Sequence, residues 1–596
     1  MQNRTLSNEL SLHEGETILM KGWLHTLRKL GSIAFLILRD KKGLSQIVLD
    51  KGEEIEKLEN LYTGSILEVN GKVVSSPKSK FGFEIQSGNV KVIRPVKYPS
   101  PVDISKESLN VELDTLLENR VVTLRHPKQS SIFKIAALAE KQMREFFYRN
   151  DFTQFNSPKI IAFPTEGGSE VFEVAYFDRK AYLAQSPQFY KQMMVTVFEK
   201  VFEIGRAYRA ENSNTSRHMS EIMMLDAEMG FIEGFDDVLY TVQELLKDVV
   251  TGTWSDAKKE LEFLGAEKPV FSETFPRISV LELHKLMLKE TGEDHTSETD
   301  VAPSEEKFIC EYSAKNWNSE AVFITEFPWS SAKFYHYQNK ENPEVTDRAD
   351  MIFRGVEVAT VTRREVDYDR MISQIKAQGI DPTNPGLAQY LDSFKYGMPD
   401  EGGFGFGIAR FIQKLIGLSN AKEAELFPSD TKMIGAVRLA AKIYSGKDLF
   451  TEIVKRLDTQ KINYELSEHE PVLTSEDAAR LRGTKLSEGV KALILRGKTT
   501  QKNIMVCIPA DQKLKVASFE KIEGEKFEFE KPEEIKKVYG IEVGGVPPFG
   551  TLLGMPTYFS KDVLKEEKSC FNCGMRTKSI VMKSKDLVAL VNPVLV

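Results

Sequence analysis

Two charged clusters in residues 201–231 contain the residue types of a ligand-binding site. Arg209 follows an alternating run that includes Gly205 and Ala207, and side chains two residues apart in a strand share a face. We therefore expect Arg209 to lie beside two residues with very small side chains, where a flat ligand could bind. Asp226 and Glu228 share one face of the next run, and buried carboxylates require a cation or a donor. These residues fit a binding site or a β-hairpin with a structural Arg–Glu pair.

The wider pattern around these residues resembles motif 2 of the class II aminoacyl-tRNA synthetases, most closely the aspartyl and asparaginyl subgroup. The resemblance is carried by Arg209-Ala-Glu211, Thr215-Ser-Arg217-His218, Glu221 and Asp226-Ala-Glu228. It implies that Arg209 holds the ATP α-phosphate and that Glu211 reads the adenine amino group. It also implies that Arg217 and His218 reach the outer phosphates and the acceptor end of tRNA, and that Asp226 holds the substrate ammonium group.

Two polar segments resemble the amino-acid-binding loops of the aspartyl enzymes. The first contains Glu166 and Ser169, and the second is QSPQ ending at Gln188, followed by Lys191. The resemblance implies that these residues bind aspartate and that Lys191 faces its side-chain carboxylate. An ammonium group suits a carboxylate and stays unpaired beside an amide, which favours aspartate over asparagine. From composition alone, both segments are surface turns.

Residues 351–365 are predicted to form a strand, and they resemble the part of the family that binds Mg²⁺ and the substrate carboxylate. The resemblance implies that Glu357 and Thr360 are oxygen ligands of Mg²⁺ at the ATP phosphates. It also implies that Arg364 forks onto the substrate carboxylate. The family has a glycine pair before this arginine, whereas this chain has VTR, so Arg363 is an alternative.

A glycine-rich run at 402–410 ends in Arg410. It lacks the GK[ST] of a P-loop and the βαβ setting of a dinucleotide fold, so by itself it is a weak signal. With the preceding segments it resembles motif 3, which implies that Gly407 lies at the ATP site and that Arg410 binds the γ-phosphate at a positively polarised helix start. Arg209 and Arg410 are therefore the expected catalytic cations.

A catalytic sheet must position these residues, and the sequence predicts its surroundings. Helical spacing at 130–150, with Ser130 or Ser131 as the cap, precedes DFTQFNSPKII. This segment resembles motif 1, which forms the dimer interface in the family, so a homodimer is implied. We interpret residues 232–320 as helical and mostly peripheral, with His284 and His295 at the surface.

Residues 17–95 contain short strands separated by turn signals, which is typical of a small closed barrel. GWLHTLRKLGSIAFLILRDKKGLSQIVLD resembles the anticodon-binding OB-fold of the aspartyl, asparaginyl and lysyl synthetases. The resemblance implies that Phe35 stacks on an anticodon base and that Arg28 and Gln46 bond base edges. An aromatic face contributes about 1–3 kcal/mol per stacked base. A purely structural barrel is the alternative.

Residues 446–596 predict a separate α+β unit. HEPVLT from His469, Lys491, GGVPPFG at 544–550 and FNCG at 571–574 resemble the YbaK/ProX-like aminoacyl-tRNA deacylases. The resemblance implies that Lys491 lies in a catalytic pocket, whereas the alternative is a domain that binds the acceptor stem without hydrolysis.

Four cysteines are too few for a disulfide framework in so long a chain, so we expect a reducing compartment. Cys570 and Cys573 have C-x-x-C spacing, but a structural zinc site needs four ligands and no second pair follows. We expect a reduced, packed pair.

The chain has 596 residues, enough for several domains. It is 41% apolar and 28% charged, without an apolar run of 18 residues or an apolar secretory segment at its start. We therefore expect a cytoplasmic protein without membrane contact. A net charge of −7 gives no global basic field, so tRNA would bind on local basic patches.

The sequence thus predicts an α+β multidomain chain. Its parts are an OB-fold barrel at 1–100, a hinge at 101–128, a class II antiparallel-sheet core at 129–440 and a YbaK-like editing domain at 446–596. The resemblance implies an aspartate–tRNA ligase that uses ATP, Mg²⁺, L-aspartate and tRNA-Asp, and the residues do not decide whether tRNA-Asn is also charged. The alternatives are an asparagine–tRNA ligase, a non-catalytic RNA-binding relative, and an asparagine synthetase on the same core.

Overall fold

The computed structural model describes residues 4–50, 52–164, 170–211, 215–438, 446–471 and 474–596. The chain divides into two compact units, Met1–Arg438 and Leu439–Val596. The predicted site residues Glu166 and Ser169 lie outside the described residues. Within the described ranges, no helix has the length and apolar character needed to cross a bilayer.

The first part of the chain forms a closed five-stranded barrel, which confirms the predicted OB-fold. Its elements are β1 (Thr17–Leu30), β2 (Ile33–Arg39), β3 (Leu44–Leu49), α1 (Gly52–Glu56), β4 (Ile66–Ser75) and β5 (Phe83–Arg94). The strand order is β1-β2-β3-β5-β4. Alternate side chains of β2 and β3 are buried, because one face of each strand supplies the barrel interior.

Three helices connect the barrel to the catalytic core: α2 (Leu113–Glu118), α3 (Arg120–Thr123) and α4 (Pro127–Arg149). The predicted start of α4 near Ser130 is three residues too late. Pro127 occupies the first helical position, where no N–H is needed, and His126 Nδ1 accepts a 3.2 Å hydrogen bond from the Lys128 N–H. Ser131 is therefore buried inside the helix rather than capping it.

The centre of the first unit is an eight-stranded, mainly antiparallel sheet in the order β12-β13-β14-β15-β16-β11-β10-β6, beside a three-stranded sheet β7-β9-β8 and a β17-β18 hairpin. The elements are β6 (Thr153–Gln154), β7 (Ile160–Ile161), β8 (Glu173–Tyr176), β9 (Arg179–Leu183), α5 (Gln188–Phe198), β10 (Lys200–Tyr208), β11 (Glu221–Gly230), α6 (Phe235–Asp256), α7 (Lys258–Leu264), β12 (Arg277–Ser279), α8 (Val280–Thr291), α9 (Pro303–Trp317), β13 (Ala321–Thr325), β14 (Arg348–Phe353), β15 (Val356–Arg363), α10 (Tyr368–Ala377), α11 (Ala388–Lys395), β16 (Glu401–Gly407), α12 (Ile408–Ile416), β17 (Met433–Ile434) and β18 (Val437–Arg438).

Residues 351–365 form parts of two strands, so the prediction of a single strand is wrong. Arg354 and Gly355 have φ values of +48° and +78° and join β14 to β15. Two left-handed residues are the requirement of a type I′ hairpin turn. The arginine at the first of these positions concealed the turn in the sequence; its guanidinium pairs with Glu320 at 3.1 Å.

The interpretation of residues 232–320 as peripheral is also wrong. Helix α6 buries Val238, Val242 and Leu246 in the core that covers the catalytic sheet. His284 and His295 are buried rather than at the surface, at 1% and 9% exposure. The reason is local pairing with acids, since His284 Nδ1 lies 2.6 Å from Glu305 Oε1 and His295 contacts two other glutamates.

The second unit is α+β, as predicted, with a five-stranded sheet β22-β20-β21-β23-β26 and a three-stranded sheet β19-β25-β24. Its elements are α13 (Gly446–Thr459), β19 (Tyr464–Glu468), α14 (Ser475–Arg482), β20 (Val490–Gly497), β21 (Asn503–Pro509), α15 (Glu520–Glu523), β22 (Phe527–Phe529), α16 (Pro532–Tyr539), β23 (Thr557–Phe559), β24 (Lys568–Asn572), β25 (Lys578–Lys583), α17 (Ser584–Val591) and β26 (Val594–Leu595). Cys570 and Cys573 are free and buried, as the sequence predicted.

Candidate active site

One cleft over the catalytic sheet collects the described residues that the sequence assigned to ATP, Mg²⁺ and aspartate. The cleft has a volume of about 260 Å³. The predicted residues that line it are Gln188, Lys191, Arg209, Glu211, Arg217, His218, Asp226, Glu357, Thr360, Gly407, Arg364 and Arg410. These residues come from three strands, two helices and the connecting loops, so only the folded sheet brings them together.

Arg209 and Arg410 open onto this same cleft. Arg209 directly follows β10, where its backbone N–H donates to the Ser220 carbonyl at 2.9 Å. Arg410 is the third residue of α12, and its Nη1 lies 3.1 Å from Glu357 Oε2. Both guanidinium groups remain partly exposed, at 38% and 22% of the side chain. This open end of the cleft is thus cationic, which suits a polyphosphate.

The residues without bulky side chains that line the cleft are not Gly205 and Ala207, the two expected from the sequence. A Cβ on Gly205 would lie 2.8 Å from Glu203 Oε1 and 3.1 Å from Lys159 Nζ, so that space is filled. The glycines that line the cleft are Gly405 and Gly407 of the neighbouring strand β16. The sequence could not show this, because residues 231–400 separate the paired strands β11 and β16 along the chain.

Lys191 lies at the closed end of the cleft, where it is 1% exposed. Its Nζ donates to Asp226 Oδ1 and to the Phe404 carbonyl, both at 3.1 Å, and lies 3.3 Å from Glu228 Oε2. Burial raises the pKa of Asp226, although the Lys191 charge opposes this shift. The closed end is therefore a dry site of opposite charges, where every electrostatic contact is strengthened.

Arg364, and not Arg363, faces the cleft. Arg364 makes a bidentate pair with Glu228, with Nε–Oε1 at 2.7 Å and Nη2–Oε2 at 3.0 Å. Arg363 is directed elsewhere, to Asp400 at 3.2 Å and over the Tyr337 ring at 4.2 Å. The alternation of strand faces separates the two neighbouring arginines.

Glu228 is a central residue of the site, and the sequence pattern placed it beside Asp226 without assigning it a role. It is fully buried and contacts both Lys191 and Arg364. The alternating pattern had already placed it on the same face as Asp226, so the signal was present. Its carboxylate also explains a glycine in the 402–410 run, since a Cβ on Gly403 would approach Glu228 Oε2 to 2.2 Å.

Glu357 and Thr360 lie together at the open end, where Thr360 Oγ1 donates to Glu357 Oε1 at 2.8 Å. Burial opposes ionisation of Glu357, but Arg410 and the Thr360 hydrogen bond outweigh it and lower the pKa of Glu357. Burial raises the pKa of nearby Asp350, against the attraction of Arg348. An ionised carboxylate beside a hydroxyl provides the oxygen ligands that Mg²⁺ prefers, so these residues fit that ion.

The loop that follows β10 is joined to the insert at 232–320. Arg217 Nη1 donates to both carboxylate oxygens of Glu306, at 2.7 and 2.8 Å, and Glu306 also accepts from the Glu357 backbone N–H at 2.9 Å. Glu306 lies in the first turn of α9 and was not predicted as a site residue. Glu211 lies 3.7 Å from Arg209 and 3.6 Å from His218.

The three predicted anticodon contacts share one outer face of the barrel. Arg28 pairs with Phe35 across β1 and β2, and Phe35 and Ile37 pair with Val48 and Gln46 across β2 and β3. Directly paired residues and residues two apart lie on the same face. Phe35 is partly exposed between buried neighbours, as a stacking platform requires.

Lys491 lines a separate cavity of about 220 Å³ within the second unit, between α14 and strands β20 and β24. His469 is not at its wall but lies 2.6 Å from Ser579 Oγ. In the described part of the chain, the one group of metal-binding side chains is His295, Glu298 and Glu305, far in sequence from Cys570 and Cys573.

An antiparallel sheet with a cationic cleft, in a chain that also contains a small closed barrel and a separate α+β unit, is the architecture of a class II aminoacyl-tRNA synthetase. A family model described as "tRNA synthetases class II (D, K and N)" matches residues 112–431, which is more than half of the chain. The chain belongs to this family. An "OB-fold nucleic acid binding domain" matches residues 18–93, and an "Aminoacyl-tRNA editing domain" matches residues 469–590.

Known relatives support the aspartyl subgroup. The chain is 39% identical over 427 residues to the aspartate–tRNA(Asp/Asn) ligase of Thermus thermophilus, covering 72% of this chain and 98% of the relative. It is 38% identical to the aspartate–tRNA(Asp) ligase of Pyrococcus abyssi, covering 70% and 96%. A similar solved structure is the asparaginyl-tRNA synthetase of Pyrococcus horikoshii with asparaginyl-adenylate, with a TM-score of 0.68 and 27% identity, covering 73% of this chain and all of that one.

Proposed function

We propose that this protein is an aspartate–tRNA ligase, which forms aspartyl-adenylate from L-aspartate and ATP and transfers the aspartyl group to tRNA-Asp. The observation that carries the proposal is the burial of the Lys191 ammonium group at the closed end of the cleft that Arg209 and Arg410 enter. A buried ammonium group is complementary to a second carboxylate and leaves an amide unsatisfied.

The chain's own residues position the two reactants of the first step. In the proposal, the substrate carboxylates pair with Lys191 and Arg364, and Asp226 receives the ammonium group. Arg209 and Arg410 hold the phosphates so that the α-carboxylate attacks the α-phosphorus in line and pyrophosphate leaves. Fixed positive charge and orientation supply the rate enhancement, and no covalent enzyme intermediate is needed.

Glu357 and Thr360 would hold Mg²⁺, which neutralises charge on the phosphate oxygens when it is bound. Glu357 is suited to this task because it remains ionised down to low pH. Glu211, Arg217, His218 and Gly407 belong to the same ATP site in the proposal, as Gln188 belongs to the aspartate site.

The proposal extends to the two flanking domains. Arg28, Phe35 and Gln46 would bind the anticodon through stacking and base-edge hydrogen bonds. The second unit would hydrolyse mischarged tRNA in the cavity that Lys491 lines. The domain boundaries, the homodimer and the cytoplasmic location predicted from the sequence are part of the same proposal.

Amino-acid-dependent exchange of pyrophosphate into ATP tests the assignment directly. We expect exchange with L-aspartate and not with L-asparagine at equal concentration. Exchange with asparagine alone would identify an asparagine–tRNA ligase, and exchange with neither would identify a non-catalytic RNA-binding protein. Charging of tRNA-Asp and tRNA-Asn with labelled aspartate then shows which tRNA is accepted, and free asparagine formed from ammonia would reveal an asparagine synthetase.

A further inference from the structure

The cavity of the second unit contains two cationic side chains and, among the described residues that line it, no acidic one. Arg482 at the end of α14 and Lys491 in β20 both contribute to its wall. The other lining side chains are small, apolar, hydroxyl, thiol or amide groups. Cations in a cavity are ordinarily paired with an opposite charge, so two half-buried cations without an ion pair among the described residues require an explanation.

Arg482 is held in place by neutral acceptors. Its Nε donates to Ser579 Oγ at 2.9 Å, and its Nη2 donates to Asn572 Oδ1 at 2.6 Å. Asn572 is fixed in turn, because its Nδ2 donates to the Gly544 carbonyl at 2.5 Å. A guanidinium group has five N–H donors, so these two bonds leave about three for a ligand.

No described carboxylate forms an ion pair with Arg482, and the nearby thiols do not neutralise it. Burial raises the pKa of Cys573 to about 12 and raises the pKa of Cys570 as well, so both thiols are neutral at pH 7. Burial also lowers the pKa of Arg482 itself, which shows that the site holds this charge at a cost. A guanidinium group nevertheless stays protonated in proteins.

We propose that this cavity binds an anionic oxygen group, a carboxylate or a phosphate, and that Arg482 is the residue that selects it. Two sources supply this chemistry in a mischarged tRNA: the side-chain carboxylate of an acidic amino acid and a phosphate near the 3′ end. The inference rests on the proposed deacylase function of the second unit. Arg482 is better suited than Lys491 to this selection, because its planar fork matches two oxygens at once.

Four non-hydrolysable ligands test the proposal on the full chain. They are 3′-deoxyadenosines that carry an amide-linked aspartyl or asparaginyl group at the 3′ position, each with and without a 5′-phosphate. A sulfamoyl analogue of aspartyl-adenylate first saturates the synthetase cleft, and calorimetry then measures binding to the second unit. The variants are Arg482→Gln, Arg482→Lys and the control Arg480→Gln, since Arg480 lies in the same helix, is 79% exposed and pairs with Asp477.

We expect the wild type to bind the ligand that carries the additional carboxylate or phosphate at least about tenfold more tightly than the counterpart without it, which corresponds to one charge-assisted hydrogen bond. Arg482→Gln should remove this preference, Arg482→Lys should retain part of it, and Arg480→Gln should retain all of it. A preference for aspartyl over asparaginyl identifies the amino-acid side chain as the anion. A preference that follows the 5′-phosphate identifies the tRNA backbone.

The proposal is overturned if the wild type binds all four ligands equally, or if the preference survives Arg482→Gln. The wild-type comparison decides the matter even where a variant does not fold, and thermal unfolding identifies such a variant. Failure of the deacylase function is a separate result. If no mischarged tRNA is hydrolysed but the anion preference is present, the deacylase proposal is wrong and the anion site stands.

Discussion

Arg364 and Glu228 form a fully buried, bidentate ion pair at the closed end of the cleft, with nitrogen–oxygen distances of 2.7 and 3.0 Å. Arg363, one residue earlier, contacts Asp400 and Tyr337 instead. This pair of neighbours gives a matched test. We expect Arg364→Lys to lower kcat/KM for aspartate in pyrophosphate exchange by at least about 100-fold, because a lysine cannot reproduce the fork. Arg363→Lys should stay within about threefold, and equal losses would reject the assignment.

Lys191 is expected to control the choice of amino acid. Lys191→Gln leaves Asp226 without its buried cation, while Glu228 keeps Arg364 as a partner. Removing one partner of a buried charge pair costs about 3–5 kcal/mol, so we expect kcat/KM for aspartate to fall about 100-fold or more. The KM for ATP should change little, because Lys191 lies at the other end of the cleft. Lys180→Gln is the control, since Lys180 forms an exposed pair with Glu173 at 2.9 Å. An unchanged ratio of aspartate to asparagine activation in a folded Lys191 variant would contradict the assignment.

His336 should make the stability of the first unit depend on pH. Burial, with Arg364 and Arg348 nearby, lowers the pKa of His336 well below 6.5. The unfolded chain binds a proton at this residue below about pH 6.5 and the folded chain does not, so stability is lost as the pH falls through that range. The free energy of unfolding falls by up to about 1.4 kcal/mol for each unit by which folding lowers the pKa of His336.

Calorimetry at pH 5, 6, 7 and 8 measures this effect through the midpoint of thermal unfolding. The unfolding midpoint of the His336→Gln variant should fall less between pH 7 and pH 5 than that of the wild type. His13→Gln, at a surface position, should follow the wild type. An identical pH dependence in the His336 variant would show that the residue is protonated in the folded state.

Phe35 is expected to bind an anticodon base by stacking. Phe35→Ala should weaken tRNA-Asp binding by about 1–3 kcal/mol, measured by filter binding at fixed salt concentration. The rate of pyrophosphate exchange should not change, because the barrel does not line the cleft. Ile93→Ala, at a 44% exposed position on β5, serves as the control. Equal affinities for the two variants would remove Phe35 from the anticodon site.

Lys491 is expected to act in the hydrolysis of mischarged tRNA but not in the activation of aspartate. Lys491→Ala should slow the release of a mischarged amino acid from tRNA by at least about tenfold, whereas aspartate activation should remain unchanged. The assay omits AMP and pyrophosphate, so that the synthetase cannot reverse its own reaction. Lys498→Ala, at an exposed residue just beyond β20, is the matched control. Release at the wild-type rate would show that this lysine has no part in hydrolysis.

Several features of the site were predictable because a strand has a period of two. The alternation placed Asp226 and Glu228 on one face. The barrel was predictable from its short strands and visible turns, whereas the role of Phe35 was implied only by the family resemblance. The assignment of some of these charged residues to a nucleotide and of others to an amino acid came from the family resemblance. Each of these signals is local, since it depends on neighbours within about ten residues.

Other features were decided by the tertiary structure alone. Periodicity defines the two faces of a strand but not which distant strand lies beside it, so the bare cleft positions proved to be Gly405 and Gly407 rather than Gly205 and Ala207. The same limit concealed the contact between Arg217 and Glu306, which joins two segments 89 residues apart. The sequence by itself determined which charges the protein carries and on which strand faces they lie. The packing of the sheet decided which of them meet, because burial leaves each charge stable only beside a complementary partner.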